Sequence, residues 1–130
     1  MPGFTTAMVP ALRLDYHEVD RRVRFLKGLL DRAEAAELVF MVDGAERADL
    51  HLDLRHRMAH ASSGLLHEPG TAGNLPSGEA YIVPYEGEQP GDPSRSAGVL
   101  PIQLGDEVVS FRIEANQAIA VDSEGPASDA

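Results

Sequence analysis

The sequence predicts an α+β fold, in which one N-terminal helix packs on a mainly antiparallel sheet of about six short strands. A helical period runs from Asp15 to Ala36, and a strictly alternating apolar pattern from Asp49 to Arg55. Further short apolar runs follow, separated by turns rich in Gly, Pro and Asn. The 130 residues suit one domain. We therefore expect an N-terminal extension over residues 1–14, a single domain over 15–122 and a flexible acidic tail over 123–130.

The helix has the clearest signal. Asp15 and Glu18 have the spacing of a capping box, which marks its start. Its apolar residues recur every three or four positions, and they are Val19, Val23, Leu26 and Leu30. We expect this stripe to pack on the two strands that follow.

Those two strands are Leu38–Val42 and Asp49–Arg55. The segment between them, which begins with the turn Asp43-Gly44, is too short for a helical crossover, so the strands should pair antiparallel. In the second strand the polar residues should face solvent. Four more strands are expected over Glu79–Val83, Val99–Leu104, Glu107–Glu114 and Gln117–Asp122, with loops over His56–Ala72 and, exposed, over Glu86–Gly98.

The charge is distributed unevenly along the chain. The formal net charge is −10, and residues 71–130 contain 10 acidic but only 2 basic side chains. This half would repel a phosphate backbone, and the chain has no Trp to stack on bases, so we expect no nucleic-acid partner. An acidic half suits metal cations or amine-bearing ligands, although a solvated acidic surface explains it equally.

Cysteine is absent, which excludes disulfides, Cys-ligated zinc and a thiol nucleophile. No apolar run approaches the roughly 18 residues of a membrane span, and residues 1–14 lack the pattern of a secretion signal. We therefore expect a cytoplasmic protein without a membrane partner.

Three histidines, His51, His56 and His60, lie within ten residues of one another. On a strand, positions four apart are separated by roughly 13 Å, which is too far for one metal ion. We expect these side chains to be solvated or hydrogen-bonded. No serine stands in a G-x-S-x-G turn and no phosphate-binding loop is present, so the residues assign no catalytic group.

The strongest candidate for chemistry is Glu79. A Pro-Ser-Gly turn over residues 76–78 delivers this carboxylate as the first residue of a strand, at a rigid edge of the sheet. A carboxylate held in this way suits a hard or borderline divalent metal, and Glu86 and Glu88 could add to the field. The alternative is a turn with solvated acidic side chains.

The segment from Asn74 to Gly87, NLPSGEAYIVPYEG, resembles the signature N-L-P-x-G-E-(V/A)-(F/Y)-x-x-P-x-E-G of the aminopeptidase T family, the thermophilic leucyl aminopeptidase-like metallopeptidases. Asp49–Arg55 is similar to a second segment of that family, d-l-x-(l/f)-d-l-x-g-R. The resemblance covers roughly Asp15 to Val121, and residues 74–87 are its most specific part.

This resemblance implies that Glu79 is a metal ligand in an enzyme that removes N-terminal amino acids from peptides. The metal would be zinc, cobalt, manganese or iron. The family's other ligands are later glutamates, a histidine and a His-x-Asp pair, whereas this sequence has no histidine after His67. We therefore expect a fragment or shortened relative of such an enzyme, inactive alone.

Two alternatives remain open. The iron-dependent dioxygenases that cleave dihydroxypyridine rings resemble the same family, and nothing in these residues separates them from the peptidases. A non-catalytic module that binds a partner or forms a homodimer is the other alternative, because one carboxylate seldom holds a divalent metal tightly.

Overall fold

The chain forms an α+β fold in which every pair of neighbouring strands is antiparallel. The structure is a computed structural model that describes residues 5–42, 44, 46–75 and 77–129. The expected fold class is confirmed, but within these residues the strands number seven and form two sheets. The elements are a 3-10 helix (Thr6–Leu12), α1 (Tyr16–Leu30), β1 (Ala35–Val42), β2 (Glu46–Asp53), β3 (His60–Ser62), β4 (Glu79–Tyr81), β5 (Ala97–Leu104), β6 (Glu107–Glu114) and β7 (Gln117–Val121).

The chain divides into two compact units. The first unit contains α1 and the two-stranded sheet β3–β4, and it comprises Met1–Arg32 and Met58–Ile82. The second contains the five-stranded sheet in the order β1-β2-β5-β6-β7, and it comprises Ala33–Arg57 and Val83–Ala130. A single domain over residues 15–122 stays a prediction.

Helix α1 begins where the sequence predicts. The side chain of Asp15 accepts hydrogen bonds from the backbone N–H groups of His17 (3.1 Å) and Glu18 (3.2 Å), which satisfies two of the helix's free donors. The helix ends at Leu30, earlier than predicted, because the chain from Ala35 onward pairs with β2 instead. Pairing with a distant strand has overridden a local helical pattern.

Within its own unit, α1 packs on β3 and β4. The expected partners, β1 and β2, belong to the other unit. Val23 is buried, whereas Leu26, which we expected in the packed stripe, is 48% exposed. The two strands have three residues each, roughly 10 Å of chain. Since α1 is roughly 22 Å long, they cover only part of its apolar stripe.

Strand β3 lies in the segment His56–Ala72, which we predicted as loop, and that prediction is wrong at this point. His60 pairs with Tyr81 and Ser62 with Glu79, and the His60 and Tyr81 rings stack with their centroids 5.2 Å apart. Three residues are too few to show a period of two in the sequence. This strand exists because β4, far along the chain, supplies its partner.

The five-stranded sheet consists of the pair β1–β2 and the three consecutive strands β5, β6 and β7, which meet over a short contact between β2 and β5. The β1–β2 pairing, predicted from the sequence, is confirmed. β2 and β5 pair only at Leu50–Gly98 and His51–Ala97. Gly98 has φ of +137°, and a Cβ atom there would lie 2.3 Å from the carbonyl oxygen of Asp49. Only glycine fits where β2 and β5 meet.

The two ends of the chain are attached differently. None of the residues in the 3-10 helix Thr6–Leu12 is buried. At the other end, Ser123 Oγ accepts from the backbone N–H of Ser110 (2.9 Å), and the N–H of Ala127 donates to Glu107 (3.0 Å). These bonds connect the last residues to β6, and the flexibility of the tail stays a prediction. No helix in the described part of the chain combines the length and the apolar character that a membrane crossing requires.

The close approach at Gly98 generates a prediction. Gly98→Ala should lower the free energy of unfolding by about 3 kcal/mol or more, since the new Cβ collides with backbone atoms that cannot move without separating β2 from β5. The matched control is Gly105→Ala, where φ is also positive (+63°) but no atom lies within 4 Å. It should cost about 1–2 kcal/mol. Urea unfolding of both variants measures the difference, and equal losses would contradict the prediction.

Candidate functional site

Glu79 lies at a pocket in the first unit. It is the first residue of β4, as the turn sequence predicts, and it is exposed. The pocket has a volume of about 380 Å³ and is lined by Ser62, Asn74, Ser77, Gly78 and Glu79. Pro76, the first residue of the expected turn, lies outside the described residues. The structure thus places the candidate carboxylate on a concave surface beside amide and hydroxyl groups.

The two serines of this pocket are hydrogen-bonded to each other. Ser77 Oγ donates to the backbone carbonyl of Ser62 (2.7 Å), and the two hydroxyl oxygens are also 2.7 Å apart. Ser77 has only one hydroxyl proton, so Ser62 Oγ must be the donor to Ser77 Oγ. Both protons are therefore used inside the pair. The hydroxyl oxygens therefore have only lone pairs available to a ligand, and lone pairs suit a cation.

Glu79 has no cationic partner among the described residues. Four arginines were expected as partners of a structural Glu79; among the described residues Arg95 forms no ion pair, and the other three bind other carboxylates. The pairs are Arg55 with Asp53, Arg57 with Glu88 and Arg112 with Asp122. An exposed carboxylate without an ion pair on a concave surface is available to a cation from outside.

The described lining of the pocket contains a single carboxylate, that of Glu79. Among the residues that the structure describes, no three His, Cys, Asp or Glu side chains lie close enough together to hold a metal ion. Glu86 and Glu88, which we expected to add to the field, belong to the second unit, where Glu88 binds Arg57 and the backbone N–H of Glu86. Glu79 thus contributes the one carboxylate, and the neighbouring oxygens are neutral.

Each of the three clustered histidines has a neighbour of its own. The His51 ring lies 2.5 Å from the carboxylate of Glu37, measured from Nδ1 to Oε1. The His56 ring lies 3.0 Å from Asp92, measured from Nε2 to Oδ2. His60 stacks on Tyr81. These contacts are of the hydrogen-bonded or packed kind that the strand spacing favours.

The second unit contains a buried charge cluster that the sequence analysis did not anticipate. Asp53 was expected on the solvent face of its strand, but it is only 1% exposed. Its carboxylate accepts from the guanidinium of Arg55 (2.7 Å) and from the backbone N–H groups of Arg55 (3.1 Å) and Arg95 (2.9 Å). Ser96 Oγ, also buried, accepts from the backbone N–H of Asp53 (2.9 Å). The bonds from Arg55 and Arg95 satisfy the buried carboxylate, and the bond to Ser96 satisfies the backbone N–H of Asp53.

Tyr85 extends this cluster into the loop that follows β4. Its backbone N–H donates to the carbonyl of Asp53 (2.7 Å), and its hydroxyl donates to the carbonyl of Asp92 (2.8 Å). The guanidinium of Arg55 lies 5.6 Å from the centre of the Tyr85 ring and also binds the Asp92 carboxylate (3.0 Å). The segment Glu86–Gly98 was expected to be an exposed loop, but Ser94 and Ser96 within it are buried.

The role of the Asp53 cluster is structural, because its hydrogen-bonding groups already have partners within the fold. The only sequence signal for it was the pair of opposite charges on the same face of a strand, Asp53 and Arg55, two residues apart. That signal does not distinguish an exposed pair from a buried one. The hydrogen bonds and charge of Arg55 hold the pKa of Asp53 well below its usual range, against the opposing effect of burial.

No family model, curated protein or solved structure matches this chain. The resemblance to the aminopeptidase T family therefore rests on the motif residues and their placement. Of these residues the structure places Glu79 at a pocket and Asp53 and Arg55 in a buried cluster. Family membership stays a proposal.

The lowered pKa of Asp53 predicts a pH dependence. A carboxylate whose pKa is depressed by folding stabilises the protein above its unfolded-state value of 3.8, and this contribution is lost as the pH falls through the folded-state pKa. We expect the free energy of unfolding to decrease as the pH falls below about 4. In Asp53→Asn the decrease should be shallower.

Asp53→Asn should also cost about 1.5–3 kcal/mol at pH 7, because it removes the buried charge that accepts hydrogen bonds from Arg55 and Arg95. The control is Asp49→Asn on the same strand, which breaks an exposed pair with Arg47 and should cost under about 1 kcal/mol. Urea unfolding at pH 7 and pH 3 measures both effects. Equal costs for the two variants, or an unchanged pH slope, would contradict the structural role of the cluster.

Proposed function

We propose that this chain carries a metal-ligating glutamate, Glu79, of an aminopeptidase T-like metallopeptidase that removes N-terminal amino acids from peptides. One observation carries the proposal. Glu79 starts a strand at a pocket lined by oxygen-bearing side chains, and no described Lys or Arg neutralises it. A structural glutamate would be expected to pair with an arginine or to cap a turn.

The residues of the pocket fit one side of a divalent metal site. Glu79 would supply the charged ligand, and Ser62, Asn74 and Ser77 line the pocket with neutral oxygens. Zinc, cobalt, manganese and iron remain the proposed metals. When bound, such a metal activates water and polarises the scissile carbonyl group. The ligands that complete the centre would come from outside this pocket.

The charge of the chain supports a substrate with a free amino group. A net charge of −10 creates a negative field that attracts the ammonium group of a peptide or a small amine and repels a nucleic-acid backbone. The acidic side chains are mostly solvated, and the field acts on encounter rather than on specificity.

A second candidate is a binding module without catalytic activity. The observation in its favour is that no set of three potential metal ligands exists among the described residues. Hard cations are held by several converging oxygens, so Glu79 with neutral neighbours would bind metal only weakly. Metal affinity and turnover, measured separately, distinguish the candidates.

Metal binding tests the role of Glu79. Titration with Mn²⁺, followed by electron paramagnetic resonance, should show weak binding with a dissociation constant on the order of 10⁻³ M. Glu79→Gln should weaken it at least about tenfold, a loss of about 1.4 kcal/mol of binding free energy. The control is Glu68→Gln, an exposed acid of the same unit, which should change nothing.

Unfolding of the same variants separates binding from folding. Glu79→Gln should leave the free energy of unfolding within about 0.5 kcal/mol of wild type, because no described side chain loses an ion pair. Equal Mn²⁺ binding by the wild type and Glu79→Gln would overturn the ligand assignment. So would a stability loss of about 1.5–3 kcal/mol, which indicates a charged hydrogen-bonding partner in the folded protein.

Turnover tests the state of the isolated chain. We expect no release of amino acids from leucyl and other aminoacyl substrates with added Zn²⁺, Mn²⁺ or Co²⁺, because the described residues contain no complete ligand set. The readout is the free amino acid formed over time. Turnover that a chelator abolishes would contradict this expectation and identify the chain as a complete peptidase.

A further inference from the structure

The outer edge of the five-stranded sheet at β1 is unprotected. In the sheet order β1 is the terminal strand, and β2 is its only described partner. In an antiparallel sheet every second residue directs its backbone N–H and C=O groups to each side, so these groups remain unpaired along the outer edge of β1. Proteins usually block such an edge with Lys, Pro or a bulge. The sequence of β1, AAELVFMV, contains neither residue, and its pairing with β2 is continuous.

The opposite edge of the sheet is protected. β7 has five residues against the eight of β1. Its pairing with β6 contains a register shift between Arg112 and Ile113, and an ion pair between Arg112 and Asp122 lies at its end. A bulge twists the edge away from flat pairing. Of the two terminal strands, β1 is the longer and the more regularly paired.

The side chains of β1 add apolar surface to this open edge. Val39 is 53% and Met41 58% exposed, and both lie on the same face because their positions differ by two. Glu37 is the only charged residue of the strand. A strand with these properties is well suited to pair with another uncharged strand.

We propose that the partner is a second copy of this chain, paired antiparallel through β1 with Val39 on the twofold axis. An antiparallel strand pair has its twofold axis perpendicular to the sheet, so the same face of both copies points the same way. Residues that face each other must then differ by an even number of positions. With Val39 on the axis, Leu38 faces the partner's Phe40, and Glu37 faces the partner's Met41.

Axes at Leu38 and at Val39 pair the largest number of β1 residues, and charge favours the axis at Val39. Glu37 and the partner's Glu37 are then roughly 14 Å apart along the strand, whereas an axis at Leu38 brings them to roughly 7 Å. Like charges that approach across a strand pair are destabilising. The Val39 register also joins aliphatic and aromatic side chains on the other face, since Leu38 and Phe40 are half-buried. The proposal does not depend on the role of Glu79.

The oligomeric state tests the proposal. Sedimentation equilibrium from about 1 μM to about 1 mM should show a concentration-dependent dimer. Val39→Lys should raise the dimer dissociation constant at least about tenfold, because two ammonium groups then meet at the axis. The control is Ile119→Lys, an equally exposed apolar residue on β7, which should leave the dimer unchanged. Circular dichroism checks that both variants fold.

Single cysteines test the register, because the natural sequence has none. Val39→Cys should form a disulfide-linked dimer on mild oxidation, since the two sulfurs face each other. Met41→Cys should not, since its symmetry mate is roughly 14 Å away along the strand. A monomer at every concentration would overturn the proposal. A dimer that Val39→Lys leaves intact, or that Ile119→Lys disrupts, would also overturn it, as would cross-linking of Met41→Cys in preference to Val39→Cys.

Discussion

The buried ion pair between Asp53 and Arg55 is the interaction on which the second unit depends. Asp53 ends β2, the strand that pairs with both β1 and β5. Removing a carboxylate and a guanidinium from water is costly, and the cost is offset only when hydrogen bonds satisfy both groups. Here the loop after β4 supplies such bonds, since the backbone N–H of Arg95 donates to the Asp53 carboxylate and the Arg55 guanidinium donates to Asp92. The sheet and the loop are therefore stabilised by the same charges.

The contrast between Asp53 and Glu79 separates a structural carboxylate from a candidate ligand. Asp53 has its cation within the fold, two residues along the chain, and is closed to solvent. Glu79 is exposed at a pocket that Ser62 and Ser77 also line, and the hydroxyl protons of these two serines are used within their own pair. A carboxylate that forms no ion pair with the described residues is available to a cation from outside, whereas the carboxylate of Asp53 is not. This difference is the physical basis of the proposed metal role.

The five-stranded sheet has a centre where only glycine fits and an outer edge, at β1, that no described strand pairs with. At its centre, Gly98 permits a backbone approach that any side chain would block, and β2 and β5 pair there at two positions. At the edge, the backbone groups on the outer side of β1 are unpaired, and the strand has little charge. Among the described residues, the backbone groups at the centre of the sheet have hydrogen-bonding partners, whereas those on the outer side of β1 do not. This imbalance, rather than exposed apolar area alone, indicates an interaction surface at β1.

The sequence by itself determined the features that depend on neighbouring residues. The cap at Asp15, the bounds of β6 and the turns that join β5, β6 and β7 follow from local periodicity and turn chemistry. Only the tertiary structure decided where α1 ends, whether β3 exists, and that Asp53 is buried. In each of these cases the partner is distant in the chain. Ala35 pairs with β2, His60 pairs with β4, and the loop around Tyr85 covers Asp53. The free energy of such a contact depends on residues outside the local pattern, so the pattern could not predict these three features.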